Sequence, residues 1–381
     1  MKCNILIYGN GHNDLQPYLF SNLQRLKENL NNIHFHNEIQ FSLQVGMLED
    51  PVLSLFEKIK GYPIKSKNNF WSDSKRFIIK EGSVSETGLE GKVNFASPIQ
   101  LEDFLNWGLI NNNNATNYNI LLLGGHSIPY IGTCFDYSLN GIQLMSIPQL
   151  ARAIKKACQK TGNNIDLLIL DSCYMNNIET IFEFSDQNNF IKNIITYYNS
   201  GPLEGLSFID LLDIINRSTN KHDIIYNILN NINYNLISIN LDFNILNKMY
   251  DLINQIGIIY FSNKDNGHES KLKTLKDALN KLINKICHTN FKIQEPVLNY
   301  ANEKLENTQI IKFFLAHKFC QKNLWANYIT KTKQNIGIIN KSEITPYKLD
   351  QAYFIKILEE LYPLTDKKVF SKISNIIYNN N

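Results

Sequence analysis

Tyr118-Asn119-Ile120-Leu121-Leu122-Leu123-Gly124-Gly125-His126-Ser127 and, further on, Asp166-Leu167-Leu168-Ile169-Leu170-Asp171-Ser172-Cys173 have the same build. Each is an apolar run that ends in residues able to do chemistry. Near-continuous apolar runs of this length are how parallel strands buried on both faces read. In an open parallel sheet, sites form outside the carboxyl ends of the strands, so the two loops are expected at one edge. Adjacent strands lie about 5 Å apart, so His126 and Cys173 can meet if their strands are neighbours.

Similar runs at Asn4–Tyr8, Phe41–Met47, Phe77–Lys80 and Asn193–Tyr198 complete a set of candidate strands. Amphipathic stretches lie between them, at Asp14–Leu30, Ile99–Ile110 and Ile147–Lys160. The last has Ser146 to cap it, Pro148 in its first turn, and an apolar stripe of Leu150, Ile154, Ala157 and Cys158. This alternation predicts an α/β fold, a mostly parallel sheet flanked by helices. After about Gly205, helical periodicities take over, at Phe243–Ile259 and Glu269–Ile286, with a strand-like Ile336–Ile339 and a helical Gln351–Leu361 near the end. Two units are therefore expected: residues 1–205, and a mainly helical 206–381 packed on them, with a soft boundary at Leu203–Ser207.

Composition limits the function. The 381 residues are 44% hydrophobic and 19% charged, with a net charge of +3. Such balance gives no electrostatic case for nucleic acid. No stretch reaches the roughly 18–20 apolar residues of a spanning helix. The amino terminus runs straight into a strand pattern without a cleavable leader, and the six cysteines are irregularly spaced, so a cytoplasmic protein with free thiols is expected. Asparagine makes up about one residue in seven. It is a turn former that is poor inside helices and strands, so the excess reads as compositional bias.

The two strand ends supply a nucleophile and a proton carrier. A thiolate needs a nearby base or positive charge, and imidazole shuttles protons near neutral pH. Gly124 and Gly125 would let backbone amides approach a substrate carbonyl, with the Cys173 amide completing an oxyanion site. The competing reading is a buried structural cysteine and an ordinary loop histidine.

These residues resemble a known family. From Tyr118 to Glu179 the chain is similar to the clostripain-type cysteine peptidases, relatives of caspases, gingipains and legumains. The carrying motifs are LLLGGHS (121–127), FDYS (135–138), LMSIPQLARAI (144–154) and LLILDSCYMNNIE (167–179). Flanking text agrees: NILIYGNGHNDLQPYLFSNLQRLKE (4–28) resembles the family's opening strand and helix, and RFIIKEGS with VNFASPIQLEDFLNWGL a later strand–helix pair. FFLAHKFCQKNLWANYI (313–329) echoes its carboxy-terminal part.

The resemblance implies a caspase-like fold and a cysteine endopeptidase acting on peptides or proteins. His126 is then the catalytic histidine, Cys173 the nucleophile, and the amides of Ser127 and Cys173 the oxyanion donors. Asp171 lines the pocket for the side chain before the cut, which in the family takes Arg or Lys. Glu204 is the candidate second pocket acid, and Glu179 a structural charge early in the next helix. No cofactor is expected. Ca²⁺ enters only because family members can use it, and no EF-hand loop is visible.

Ser127 stands where the family has glycine, which bears on backbone approach at the oxyanion site. No Lys or Arg occurs from Ser127 to Ala151, where family members cut themselves to mature. A regulatory protein or ligand is therefore the expected trigger, and an inactive or conditionally active signalling module is the alternative function. Elsewhere, Cys287-His288 with His317-x-x-Cys320 lacks zinc-finger spacing, and no metal ligand is assigned. Gly9-Asn10-Gly11 lacks the third glycine of a dinucleotide loop and reads as a turn. Cys134 has no preceding strand, which favours Cys173 as nucleophile.

Overall fold

The computed structural model describes residues 1–48, 73–80, 82–88, 93–110, 118–128, 132–139, 143–176, 178–198, 200–262 and 269–289. The expected strand at Ile336–Ile339, the helix at Gln351–Leu361, and His317 and Cys320 lie outside them.

Twelve strands occur among the described residues: β1 (Lys2–Gly9), β2 (Glu38–Met47), β3 (Asp73–Lys80), β4 (Ser83–Gly88), β5 (Tyr118–Gly124), β6 (Ser127–Ile128), β7 (Gly132–Asp136), β8 (Gln143–Met145), β9 (Ile165–Asp171), β10 (Ile191–Tyr197), β11 (Leu236–Asn240) and β12 (Cys287–Thr289). Nine form one sheet in the order β12-β11-β10-β9-β5-β1-β2-β3-β4. The central strands β10, β9, β5, β1 and β2 run parallel, and the pairs at each side are antiparallel. All six strands read from the sequence are present, most extended by a residue or more. The sheet also continues past residue 205, because β11 and β12 add to its β10 side.

Helices cover both faces, as buried parallel strands require. Alternate residues of one strand feed opposite cores. Leu6 and Tyr8 belong to the core cluster that also draws residues from helices Pro98–Ile110, Ile147–Thr161, Phe243–Ser262 and Glu269–Ile286. Ile5 and Ile7 belong to the opposite cluster, with residues of helices Gln16–Asn29, Phe208–Arg217 and Lys221–Asn231. Helix Ile147–Thr161 starts as its sequence predicts. Ser146 and Gln149 form a reciprocal capping box, Pro148 sits in the first turn, and Gly162 at φ +68° ends it.

The segment between His126 and the capped helix forms a second sheet, β6-β7-β8. Its strands are short and β7 carries an irregularity between Thr133 and Asp136, so no clean alternation marked it in the sequence.

Candidate active site

The three strand ends form one row. Gly9 pairs with Gly124 across β1 and β5, and Gly124 with Asp171 across β5 and β9. The chain leaves β1 for β2 on one side and later returns through β5 on the other. This is the topological switch point where open α/β sheets bind ligands. The loops after β1, β5 and β9 all open there.

His126 follows β5 directly. Its Nε2 lies 2.7 Å from Oδ1 of Asp14. The ring meets Phe135 edge-on, with centroids 6.4 Å apart. Phe135 belongs to the irregular part of β7, where Cys134 holds a left-handed φ of +57°. The loop carrying Asp14 is pinned to the same strand. Asn10 Nδ2 and Asn13 Nδ2 both donate to the Phe135 carbonyl, at 2.6 and 2.9 Å. Tyr137 N donates to His12 O at 2.9 Å, and the buried His12 Nδ1 pairs with Asp136 Oδ2 at 2.8 Å. Gly11 is required in this loop, since a Cβ there would fall 2.2 Å from the Gly46 carbonyl oxygen.

Cys173 sits on the turn after β9. Ser172 Oγ donates to Gly125 O at 2.7 Å, and Ser127 Oγ donates to Cys173 O. Ser127 thus ties the Cys173 peptide to the histidine loop. The next residue, Tyr174, has φ +56°, a sparsely populated conformation for a non-glycine residue and a mark of a sharp turn. The thiol lies 3.9 Å from Gly201 O. Cys3, Cys134, Cys158 and Cys287 are buried, and burial pushes each of their thiols up to about 12. Cys173 is the one described cysteine with intermediate exposure. Cys134 is therefore a core residue.

One oxyanion donor from the sequence reading is spent. The Gly125 amide donates to Asp171 O at 3.3 Å, tying β5 to β9. This leaves the amides of Ser127 and Cys173 as candidates.

Asp171 lies on the wall of a pocket with Leu15, Leu19, Leu122 and Phe208 as apolar walls and His126 and Cys173 on it. Its Oδ1 accepts from Tyr197 OH at 2.6 Å and its Oδ2 from Leu206 N at 2.9 Å. Burial raises its pKa above the ordinary carboxylate value, while both hydrogen bonds pull the other way. Glu204 has an exposed side chain and lines the same pocket. No lysine or arginine does among the described residues. Glu179 is the second residue of helix Ile178–Phe184, near its start as expected.

Asp14 and Tyr197 escaped the sequence reading. Asp14 could have been found from topology, since the loop after any parallel neighbour of β5 opens on the same edge. Tyr197 ends an apolar strand, where nothing local separates it from a core aromatic.

No group of three or more His, Cys, Asp or Glu side chains is placed to hold a metal among the described residues. Asp14 and Asp171 are engaged with His126, Tyr197 and Leu206. No helix among them is long and apolar enough to cross a membrane.

A mostly parallel sheet flanked by helices, with a partly exposed thiol and an imidazole at its switch point, is a caspase-like fold. The chain belongs to the clostripain family, whose model matches residues 7–348, and is a cysteine peptidase acting on peptides or proteins. Among solved structures, it is similar to iotapain, a secreted C11 cysteine protease from Bacteroides thetaiotaomicron. The two are 12% identical with a TM-score of 0.50, over 78% of this chain and 92% of that one. A secreted C11 protease of the same species bound to an irreversible peptide inhibitor is 14% identical, TM-score 0.48, over 67% and 70%. An inactive zymogen C11 protease from Parabacteroides distasonis is 13% identical, TM-score 0.49, over 82% and 98%. The likeness to iotapain is one of fold. Comparison with curated sequences gives no match.

Proposed function

We propose that the protein is an endopeptidase with a Cys173–His126 dyad that cleaves after Arg or Lys. One observation carries the reading: the partly exposed Cys173 and His126 share a pocket whose wall presents a carboxylate. His126 takes the thiol proton at the nitrogen turned away from Asp14. The Cys173 thiolate attacks the scissile carbonyl carbon, and the oxyanion that forms is held by the amides of Ser127 and Cys173. The imidazolium gives its proton to the leaving amine, which departs and leaves a thioester on Cys173. Water then attacks the thioester with His126 as base, releasing the acid product and the thiol. The thiol must first turn from Gly201 O.

Two groups occupy one lone pair on each Asp171 oxygen, and a carboxylate offers about four such sites. The remaining pair can accept a guanidinium or ammonium, with Glu204 adding charge at the opening. A second reading is a peptidase switched on by a partner or ligand. The observation favouring it is the lack of Lys and Arg from Ser127 to Ala151, which leaves no basic cut site in the β6-β7-β8 segment.

The test is kcat/KM on paired fluorogenic peptides ending in Arg, Lys, Ala or Asp, with Cys173→Ala and His126→Ala as controls. We expect turnover of the basic pair only, lost in both variants. Preference for a neutral or acidic residue would contradict the role of Asp171. Turnover that survives Cys173→Ala would remove the dyad.

A further inference from the structure

The imidazole of His126 has two nitrogens, and one is committed away from the pocket. Nε2 lies 2.7 Å from Asp14 Oδ1, and the carboxylate side chain is 5% exposed against 30% for the histidine. An ionised carboxylate only accepts hydrogen bonds, so the nitrogen facing it carries the proton. Nδ1 is then the unprotonated nitrogen, able to take the proton of a thiol. Resting on the reading of His126 and Cys173 as a dyad, the geometry points to Asp14 as a positioning residue that fixes the histidine's tautomer and stabilises its imidazolium form. Asp14 does not line the substrate pocket, so it acts through His126. In the first step the S–H bond of Cys173 breaks and an N–H bond forms at Nδ1. Asp14 keeps its charge throughout and gains no proton.

The surroundings support a role beyond holding the loop. Asn10 and Asn13 already fasten this loop to Phe135 O, and the His12–Asp136 pair anchors it again. These bonds hold the loop to β7 in addition to the Asp14–His126 contact. Among the described residues, the charged and titratable groups placed with His126 include Asp14 from the β1 loop, bonded to its ring, and Cys173 and Asp171 from the β9 end and Glu204 from the facing loop, which line its pocket. Of these carboxylates, Asp14 is the one seen bonded to the ring.

The experiment compares wild type, Asp14→Asn, Asp14→Ala and Asp14→Glu by steady-state kinetics, melting temperature, and the pH profile of Cys173 alkylation by iodoacetamide. An asparagine amide donates to Nε2 and leaves the proton on Nδ1, the wrong tautomer for a base. Asp14→Asn is expected to keep its melting temperature and lose kcat on the order of 10²–10⁴-fold, with KM within about threefold. Its alkylation profile should move to higher pH, because a less stable imidazolium supports the thiolate less. Asp14→Glu should recover about tenfold of the lost kcat. Near-wild-type kcat in Asp14→Asn overturns the inference, as does a fall in kcat with an unmoved alkylation profile. Asp14→Ala supplies the same comparison if the asparagine variant does not fold. Failure of both to fold makes Asp14 structural and overturns it too. Peptide turnover that survives Cys173→Ala sinks the dyad reading instead, and the alkylation profile then still judges the coupling of Asp14 to Cys173.

Discussion

Asp171 carries a charge that its surroundings resist. Burial raises its pKa, and Tyr197 and Leu206 only partly offset that. A basic substrate needs the ionised form. As pH falls through a raised pKa, Asp171 takes up a proton at a higher pH than an ordinary carboxylate would. KM for Arg peptides should therefore climb on acidification at a pH where an ordinary carboxylate would still be ionised. Tyr197→Phe removes the hydrogen bond that favours the ionised form, so the climb should begin at still higher pH. An unchanged KM–pH profile in that variant would contradict this account of the pocket. The gathering of His126, Cys173 and Asp171 at one sheet edge was legible because they directly follow or end apolar runs in one dimension. The place of Asp14 beside His126 was not, because the two are 112 positions apart. The Ser127 substitution looked like an obstacle to backbone approach, yet its hydroxyl bonds the Cys173 carbonyl.

The loop from β10 into helix Phe208–Arg217 shapes the pocket from the other side. Gly205 holds φ +66°, and a Cβ there would stand 2.6 Å from Asp171 Oδ2. Gly205→Ala should cost about 1–2 kcal/mol from backbone conformation. It should also press on the carboxylate and cut kcat/KM for Arg peptides at least about tenfold, while Cys173 alkylation stays near wild type. Denaturant titration and peptide kinetics together check this, and an unaffected kcat/KM would show that the loop does not set the pocket. Elements with strong local signals were the readable ones. The helix after Ser146 carries its cap, its first-turn proline and its terminal glycine in sequence. β11 and β12 were not readable, because five and three residues in a helix-rich stretch are too short to set a period. Their pairing, antiparallel at the β10 side, is decided by the sheet they join.

At the scale of the molecule, the asparagine excess is more than bias. Asn22 Nδ2 donates to Leu206 O at 2.8 Å while its Oδ1 accepts from Phe208 N at 3.0 Å, joining helix Gln16–Asn29 to the pocket loop. Asn216 accepts from His36 N and Asn37 N and donates to His34 O, linking helix Phe208–Arg217 to the entry of β2. An amide offers donor and acceptor together, which suits loops whose backbone groups must be satisfied when covered. Composition alone could not separate these bonds from tolerated surface residues. The whole arrangement brings three loops, far apart in sequence, to one switch point, and its central claim is that Cys173 is the nucleophile there. Labelling with a peptide acyloxymethyl ketone ending in Arg, followed by mass mapping of all six cysteines, tests this most directly. The account predicts a single adduct on Cys173 that is slowed by His126→Ala. An adduct on another cysteine, or none on a folded protein that turns over Arg peptides, would contradict it.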